Sequence, residues 1–226
     1  MYVLKFRGAG QGPRALIAEL VSGEIARALG LPVPEIVFAE LDPELSRTEP
    51  DPEIHALIHD SAGLNLALDY LPGSVTYDPI VQKPDPDLAS RIVWFDAFVS
   101  NVDRTVRNSN MLLWHRKLWL IDHGATLYFH HSPDWDKDEL RARDPFRLIS
   151  THVLKRYALS LGAVDEEMAR KLSSDTIASI LSWIPDVWLT IEPGRDADHL
   201  RSAYSRYLLE RVRAPRAFVE EAIGVH

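Results

Sequence analysis

An apolar helix, a polar loop and a short hairpin follow one another without interruption over residues 87–124. Few folds accommodate that order. Leu88, Ile92, Phe95 and Val99 recur at the helical period, and Trp94 and Phe98 widen their stripe, so this helix belongs at the centre of a core. Its acids, Asp87 and Asp96, read as capping or solvated groups. Residues 101–110 are polar. Two apolar runs, 111–114 and 118–121, then flank the charged turn His115-Arg116-Lys117 and read as a hairpin, which Asp122-His123-Gly124 leaves. A loop packed by apolar residues at its entry and its exit is pinned, so the side chains it carries keep a fixed place.

Three oxygen-bearing side chains sit on this frame. Asp103 is followed five residues later by Asn108, and Asp122 opens the Asp-x-Gly. Phosphoryl transfer to a hydroxyl uses such a set. One carboxylate accepts or orients the attacking proton, while an amide oxygen and a second carboxylate hold magnesium on the phosphates. An Asp-x4-Asn pair alone is common. The ordered series of helix, pair, hairpin and Asp-x-Gly is far more restrictive than its rival, a polar surface loop with a tight turn at Gly124.

The N-terminal part supplies a cation. Tyr2, Leu4 and Phe6 alternate with Val3, Lys5 and Arg7, the pattern of a strand with a lysine in its middle. Lys5 is either an exposed edge lysine of little weight in stability or the grip on a nucleotide's phosphates, and the company of Asp103, Asn108 and Asp122 favours the second. Gly8 to Gly12 reads as a flexible connector into a helix over 14–29, stopped by Gly30 and Pro32. That helix offers Glu19 and Glu24 as partners for Lys5. Its apolar face, Leu16, Ile17, Leu20, Val21, Ile25 and Ala28, takes in Glu24 and leaves Glu19 opposite, so burial favours Glu24.

Strands are expected at 33–41 and 64–70, a loop at 42–51, and either element at 54–59. Pro72, Pro79, Pro84 and Pro86 mark a boundary, giving an N-terminal lobe of 1–72, a linker of 73–86 and a helical lobe of 87–226. Residues 125–136 carry His130, His131, Asp134 and Asp136 without the spacing of a zinc site and read as a cover over the pocket mouth. Helices are expected at 145–161, 165–172, 174–184, 196–212 and 215–223.

The chain has no cysteine, which excludes a disulfide framework, a thiol nucleophile and a thiolate metal site. A net charge of −8 argues against a broad nucleic-acid surface. No apolar run approaches the ~20 residues that span a bilayer, and the start does not resemble a signal peptide. A cytoplasmic protein with neither nucleic acid nor membrane as partner is expected.

Tyr2-Val3-Leu4-Lys5-Phe6, Ala18-Glu19 ahead of the run from Ala28 to Pro34, Asp69-Tyr70-Leu71-Pro72-Gly73, Asn101-Val102-Asp103-Arg104 through Asn108, and Ile121-Asp122-His123-Gly124 together resemble the HipA-like kinases, in a compact bacterial branch of them. They are more distantly similar to the phosphatidylinositol 3- and 4-kinases. The resemblance covers roughly residues 1–135, and the helices after Phe146 add little. It implies a protein-kinase-like, two-lobed α+β fold, with a small N-terminal sheet plus helix and a mainly α-helical C-terminal lobe. It also implies an ATP- and magnesium-dependent phosphotransferase. In that scheme Lys5 meets the α- and β-phosphates, the backbone of Asp69, Tyr70 and Leu71 meets the adenine, Asp103 is the base, and Asn108 and Asp122 bind magnesium. Arg107 lies near the transferred phosphate. Alignment with the family prefers Glu19 as the partner of Lys5, against the helical wheel.

This sequence departs from the family in two ways. Lys5 lies almost at the start, where two strands and a glycine-rich loop ordinarily come first. That departure keeps open a pseudokinase or nucleotide-binding regulatory module without turnover, beside a helical interaction protein. HipA toxins also carry an N-terminal region that this sequence lacks, so an antitoxin partner is not carried over. The acceptor, whether protein serine or threonine, small molecule or the chain itself, is open.

Overall fold

Two three-stranded antiparallel sheets, one from each half of the chain, carry the elements on which the site is built. The computed structural model describes residues 1–189 and 196–224. The first sheet has the order β1 (Tyr2–Lys5), β3 (Gly63–Asp69), β2 (Ile36–Leu41), so β1 is an edge and Lys5 pairs with Leu66. α1 (Pro13–Ala28) begins with a proline in its first turn after Gly12, whose φ is 67°, and Gly30 at φ 84° follows its end. Between Leu16 and Ala26 every residue of α1 except Glu24 is buried. The helix has no wet side there, because it packs on β3 and on helices of the other half. Its approach to β2 is close: a Cβ at Gly23 would stand 2.4 Å from Ile36 Cδ1.

α2 (Pro52–Asp60) resolves the undecided segment before β3 as a helix, with Asp51 accepting from the amides of Glu53 and Ile54. The stretch between the halves contributes β4 (Val75–Thr76), too short to leave a pattern in sequence. β4 joins the hairpin of β5 (Met111–Trp114) and β6 (Lys117–Leu120) in the order β4-β5-β6. The hairpin turn has two residues rather than three: His115 and Arg116 have φ of 46° and 63°, the backbone that matches strand twist. α3 (Pro86–Phe98) is capped by Asp85 and buried along almost its whole length.

The remaining helices are α4 (Leu161–Lys171), α5 (Ser174–Ser182), the short α6 (Asp186–Leu189), α7 (Ala197–Val212) and α8 (Ala217–Gly224). The molecule is a mixed α and β protein of small sheets and helices, consistent with a two-lobed kinase-like α+β fold. One hydrophobic core runs through both halves, from Leu16 to Ala222. Among the described residues no helix is long and apolar enough to cross a membrane.

Two expectations are corrected. Residues 145–160 form no α-helix. They make single turns at Arg147–Thr151 and Lys155–Tyr157 before α4, because His152 bridges to Thr105 and its side chain is drawn inward. Residues 125–136 are not merely a surface cover. Phe129 stacks on Tyr207 with ring centroids 3.6 Å apart, and buried His130 places Nδ1 2.9 Å from the Tyr204 hydroxyl, so this segment is part of the helical core.

Candidate active site

Two clusters of polar side chains meet where the loop after α3 runs beside the turn after β6. The first is centred on Lys5. Its Nζ lies 2.7 Å from Asp122 Oδ1 and 3.6 Å from Glu19 Oε2, so one cation from β1 is held by carboxylates from two other elements. The acid on α1 that reaches it is Glu19. Glu24 pairs instead with Arg27 one turn along. The wheel misplaced the buried acid because it assumed a single buried face. Glu19 also accepts from the main-chain N–H of His123 at 3.0 Å, which ties the Asp-His-Gly turn to α1. The His123 ring is fully buried and stands edge-on to Phe95, with Nδ1 3.5 Å from Glu19 Oε1, beyond a hydrogen bond.

The electrostatics follow from this geometry. Burial would raise Glu19, but His123 and the Lys5 charge more than offset it and pull the carboxyl down to about 2. Burial would lower the Lys5 ammonium, but Glu19 and Asp122 raise it above the ordinary lysine value. Asp122 has φ 56°, a left-handed conformation that Asp tolerates, so the special backbone of the motif lies at the acid and not at Gly124.

The second cluster is centred on half-buried Asp103. Its Oδ2 accepts from Asn108 Nδ2 at 2.8 Å and from Asn110 Nδ2 at 3.0 Å, and its own amide donates to Asn101 Oδ1. No described residue donates to Oδ1, which stays open. Asn110, at φ 46°, also joins the clusters: its carbonyl accepts from Ile121 N, the residue before Asp122. Val102 N donates to Ala125 O on the far side of the same turn.

Beneath this loop is a network that sequence reasoning missed. Asp96 on α3 is fully buried. Its Oδ2 accepts from Arg104 Nε at 2.6 Å and from His152 Nε2 at 2.8 Å, and its Oδ1 accepts from Asn101 Nδ2 at 2.7 Å. Arg104 reaches on to the Asn110 carbonyl, and His152 Nδ1 accepts from Leu154 N, which fixes Nε2 as the protonated nitrogen. Burial would push Asp96 up, but Arg104 and His152, with Asn101, hold it far below the usual carboxylate range. The signal was present: Asp96 sits four residues after Ile92 and three before Val99, inside the apolar stripe. Asp87, by contrast, is a surface partner of Arg91.

The other expected residues fall around these clusters. Arg107 and Asn108 are exposed on the outer side of the loop. Asp69 ends β3, Tyr70 is exposed and Leu71 is buried, and the chain there crosses between the sheets. The amides of Asp69 and Tyr70 already donate to Glu35 O and Met1 O. The Leu71 amide has no main-chain partner among the described residues.

Among the described residues no three His, Asp or Glu gather as a metal site, and the oxygens left for a cation are two. Asp122 keeps Oδ2 beyond its bond to Lys5, and Asn108, donating through Nδ2, keeps its amide oxygen. Both side chains are partly in solvent, so nothing apolar screens them from an ion.

A family model described as HipA-like kinase matches residues 1–218 of the 226-residue chain. The match runs well past the segment that carries the motifs and takes in most of the helical half. A comparison with curated proteins finds no match.

Proposed function

Because the chain belongs to the HipA-like kinase family, we propose that it is an ATP- and magnesium-dependent phosphotransferase acting on a hydroxyl. The observation that supports this most is Lys5. It is a strand lysine held jointly by a buried helical glutamate and by the Asp of Asp-x-Gly. A scaffold has no use for that convergence, whereas a phosphate-binding site does.

In this reading magnesium–ATP supplies the phosphoryl group, with its charge compensated by the ion. Lys5 binds the non-transferred phosphates, and Glu19 keeps the ammonium in place. Asp122 Oδ2 and the Asn108 amide oxygen are the metal ligands. The Leu71 amide is the hinge donor left for an adenine. Asp103 takes the proton of the acceptor hydroxyl at Oδ1, while two carboxamides fix the carboxylate through Oδ2. Arg107 stands beside the transferred phosphate.

The test uses two readouts on one pair of proteins. Wild type should gain melting temperature with ATP and magnesium and transfer labelled phosphate. Asp103→Ala should keep the thermal gain and lose transfer by ~10²–10⁴-fold, the usual weight of a general base. Wild-type transfer by Asp103→Ala would remove Asp103 from the role.

A further inference from the structure

Asp96 lies beneath the loop after α3, and among the described residues it has no hydrogen bond to Asp103. Two separate relays nevertheless leave its two oxygens, and both end on Asp103. The first leaves Oδ1, which accepts from Asn101 Nδ2 at 2.7 Å, and Asn101 Oδ1 accepts in turn from the main-chain amide of Asp103 at 3.0 Å. The second leaves Oδ2, which accepts from Arg104 Nε at 2.6 Å. Arg104 Nη1 donates to the Asn110 carbonyl, and Asn110 Nδ2 donates to Asp103 Oδ2 at 3.0 Å.

Every group along these relays is buried: Asp96, Arg104, Asn101 and Asn110 are 0%, 1%, 5% and 8% exposed. Burial removes water as an alternative partner, so each group stays where its neighbour holds it. An ionised Asp96 can only accept, so Asn101 turns its NH2 toward it and its oxygen toward Asp103. Burial opposes the charge on Asp96, but Arg104, His152 and Asn101 outweigh it. Asp96 is also the only carboxylate paired with Arg104 among the described residues.

The loop has main-chain bonds of its own to keep its shape. Thr105 N donates to Asn108 O, and Val153 N donates to Arg104 O. The relays from Asp96 act more narrowly. One fixes the backbone of Asp103 and the other fixes one oxygen of its carboxylate, so between them they set the direction of Oδ1. We propose that Asp96 is the positioning residue of Asp103, setting its main chain through Asn101 and its carboxylate through Arg104 and Asn110. The proposal takes the role of Asp103 from the phosphotransferase reading and takes the placement from the hydrogen bonds alone.

Asp96 itself is a poor place to test this, because its loss strands buried Arg104. The relays are cut instead at their links. Asn101→Ser is too short to bridge Asp96 and Asp103, and Arg104→Lys has no second nitrogen for the Asn110 carbonyl. Ile177→Val, at a buried position of α5 outside both relays, lowers stability without cutting either. Phosphate transfer at saturating ATP should fall ~10–100-fold in each cut variant, the scale of a ~1 Å misplacement, with KM for ATP unchanged. Ile177→Val should keep the wild-type rate. Adding Asn101→Ser to Asp103→Ala should cost nothing further, because the relay acts through a carboxylate that is no longer there. Additive losses in that double variant, or an equal fall in Ile177→Val, would overturn the proposal.

A second measurement needs no turnover. The side-chain amide of Asn110, identified by its absence in Asn110→Gly, gives a proton–nitrogen NMR signal that should move when Asp103→Ala removes its acceptor. Arg104→Lys should move it the same way, and Ile177→Val should leave it in place. If wild type transfers no phosphate, the phosphotransferase reading falls and this signal still decides the placement. An unmoved signal in Arg104→Lys would overturn it.

Discussion

His152 Nε2 donates to Asp96 Oδ2 at 2.8 Å, and that contact fastens the turns ahead of α4 to the helix that delivers the Asp103 loop. Arg104 shares the same oxygen from the other side. A change at Asp96 therefore strands a buried guanidinium. Asp96→Ala should cost ~3–5 kcal/mol, the usual result of removing one partner of a buried pair. His152→Ala leaves Asp96 paired with Arg104 and should cost only ~1–3 kcal/mol, as for a lost buried hydrogen bond. Urea unfolding of both variants checks the order, and a larger loss at His152 would mean that Arg104 is not the main support of Asp96.

Lys5 is a different case from an ordinary edge lysine. In sequence it looked dispensable for stability, but its ammonium faces a carboxylate that is almost wholly buried. Lys5→Met should therefore destabilise the fold by ~1–3 kcal/mol, moderated because Glu19 keeps the His123 amide. The Lys5→Met, Glu19→Gln double variant should recover part of that loss, since it removes the uncompensated charge as well. A double-mutant cycle in urea measures the recovery, and strict additivity would place the two side chains out of contact.

Asp122→Asn should remove the magnesium-dependent part of the ATP-induced rise in melting temperature, because the ion loses a full negative charge among its ligands. The rise given by ATP with a chelator present should persist. An unchanged magnesium response would take Asp122 out of the metal site.

Glu19 sets a pH window. Its folded value, about 2, is below the 4.5 of a free glutamate, so its contribution is fully present above pH 4.5 and is lost as pH falls toward 2. The melting temperature of wild type should exceed that of Glu19→Gln by a constant margin from neutral pH down to about 4.5, and the margin should shrink below it. A margin that instead opened in acid would mean that the buried carboxyl is stabilised in its protonated form.

The clusters were legible where chemistry imposes spacing. Asp103, Asn108 and Asp122 stood at fixed offsets around a hairpin that two apolar runs announced, and Lys5 stood in an alternating strand. What failed were three arguments from a one-sided helix, while α7 buries the expected face. α1 is covered on all sides, so its wheel could not choose between Glu19 and Glu24. Residues 145–161 space Phe146, Ile149, Val153, Leu154, Tyr157 and Leu161 much as a helix would. Yet their burial comes from turns that fold onto α3, and the backbone pairing of Thr105 with His152 overrides the period. Asp96 was dismissed because an acid on a helix is usually wet, although its neighbours on the stripe said otherwise.

The core that runs from Leu16 to Ala222 is shared by both halves of the chain. Trp188 donates to Leu64 O on β3, and Lys171 donates to Leu29 O at the end of α1, so the last third of the chain is fastened to the first. Calorimetry should show a single endotherm whose van't Hoff and calorimetric enthalpies agree. A chain cut after Pro72 should yield two pieces that are insoluble apart. For the same reason a contact loosened in α7 lowers the melting temperature of the whole molecule, β1 included.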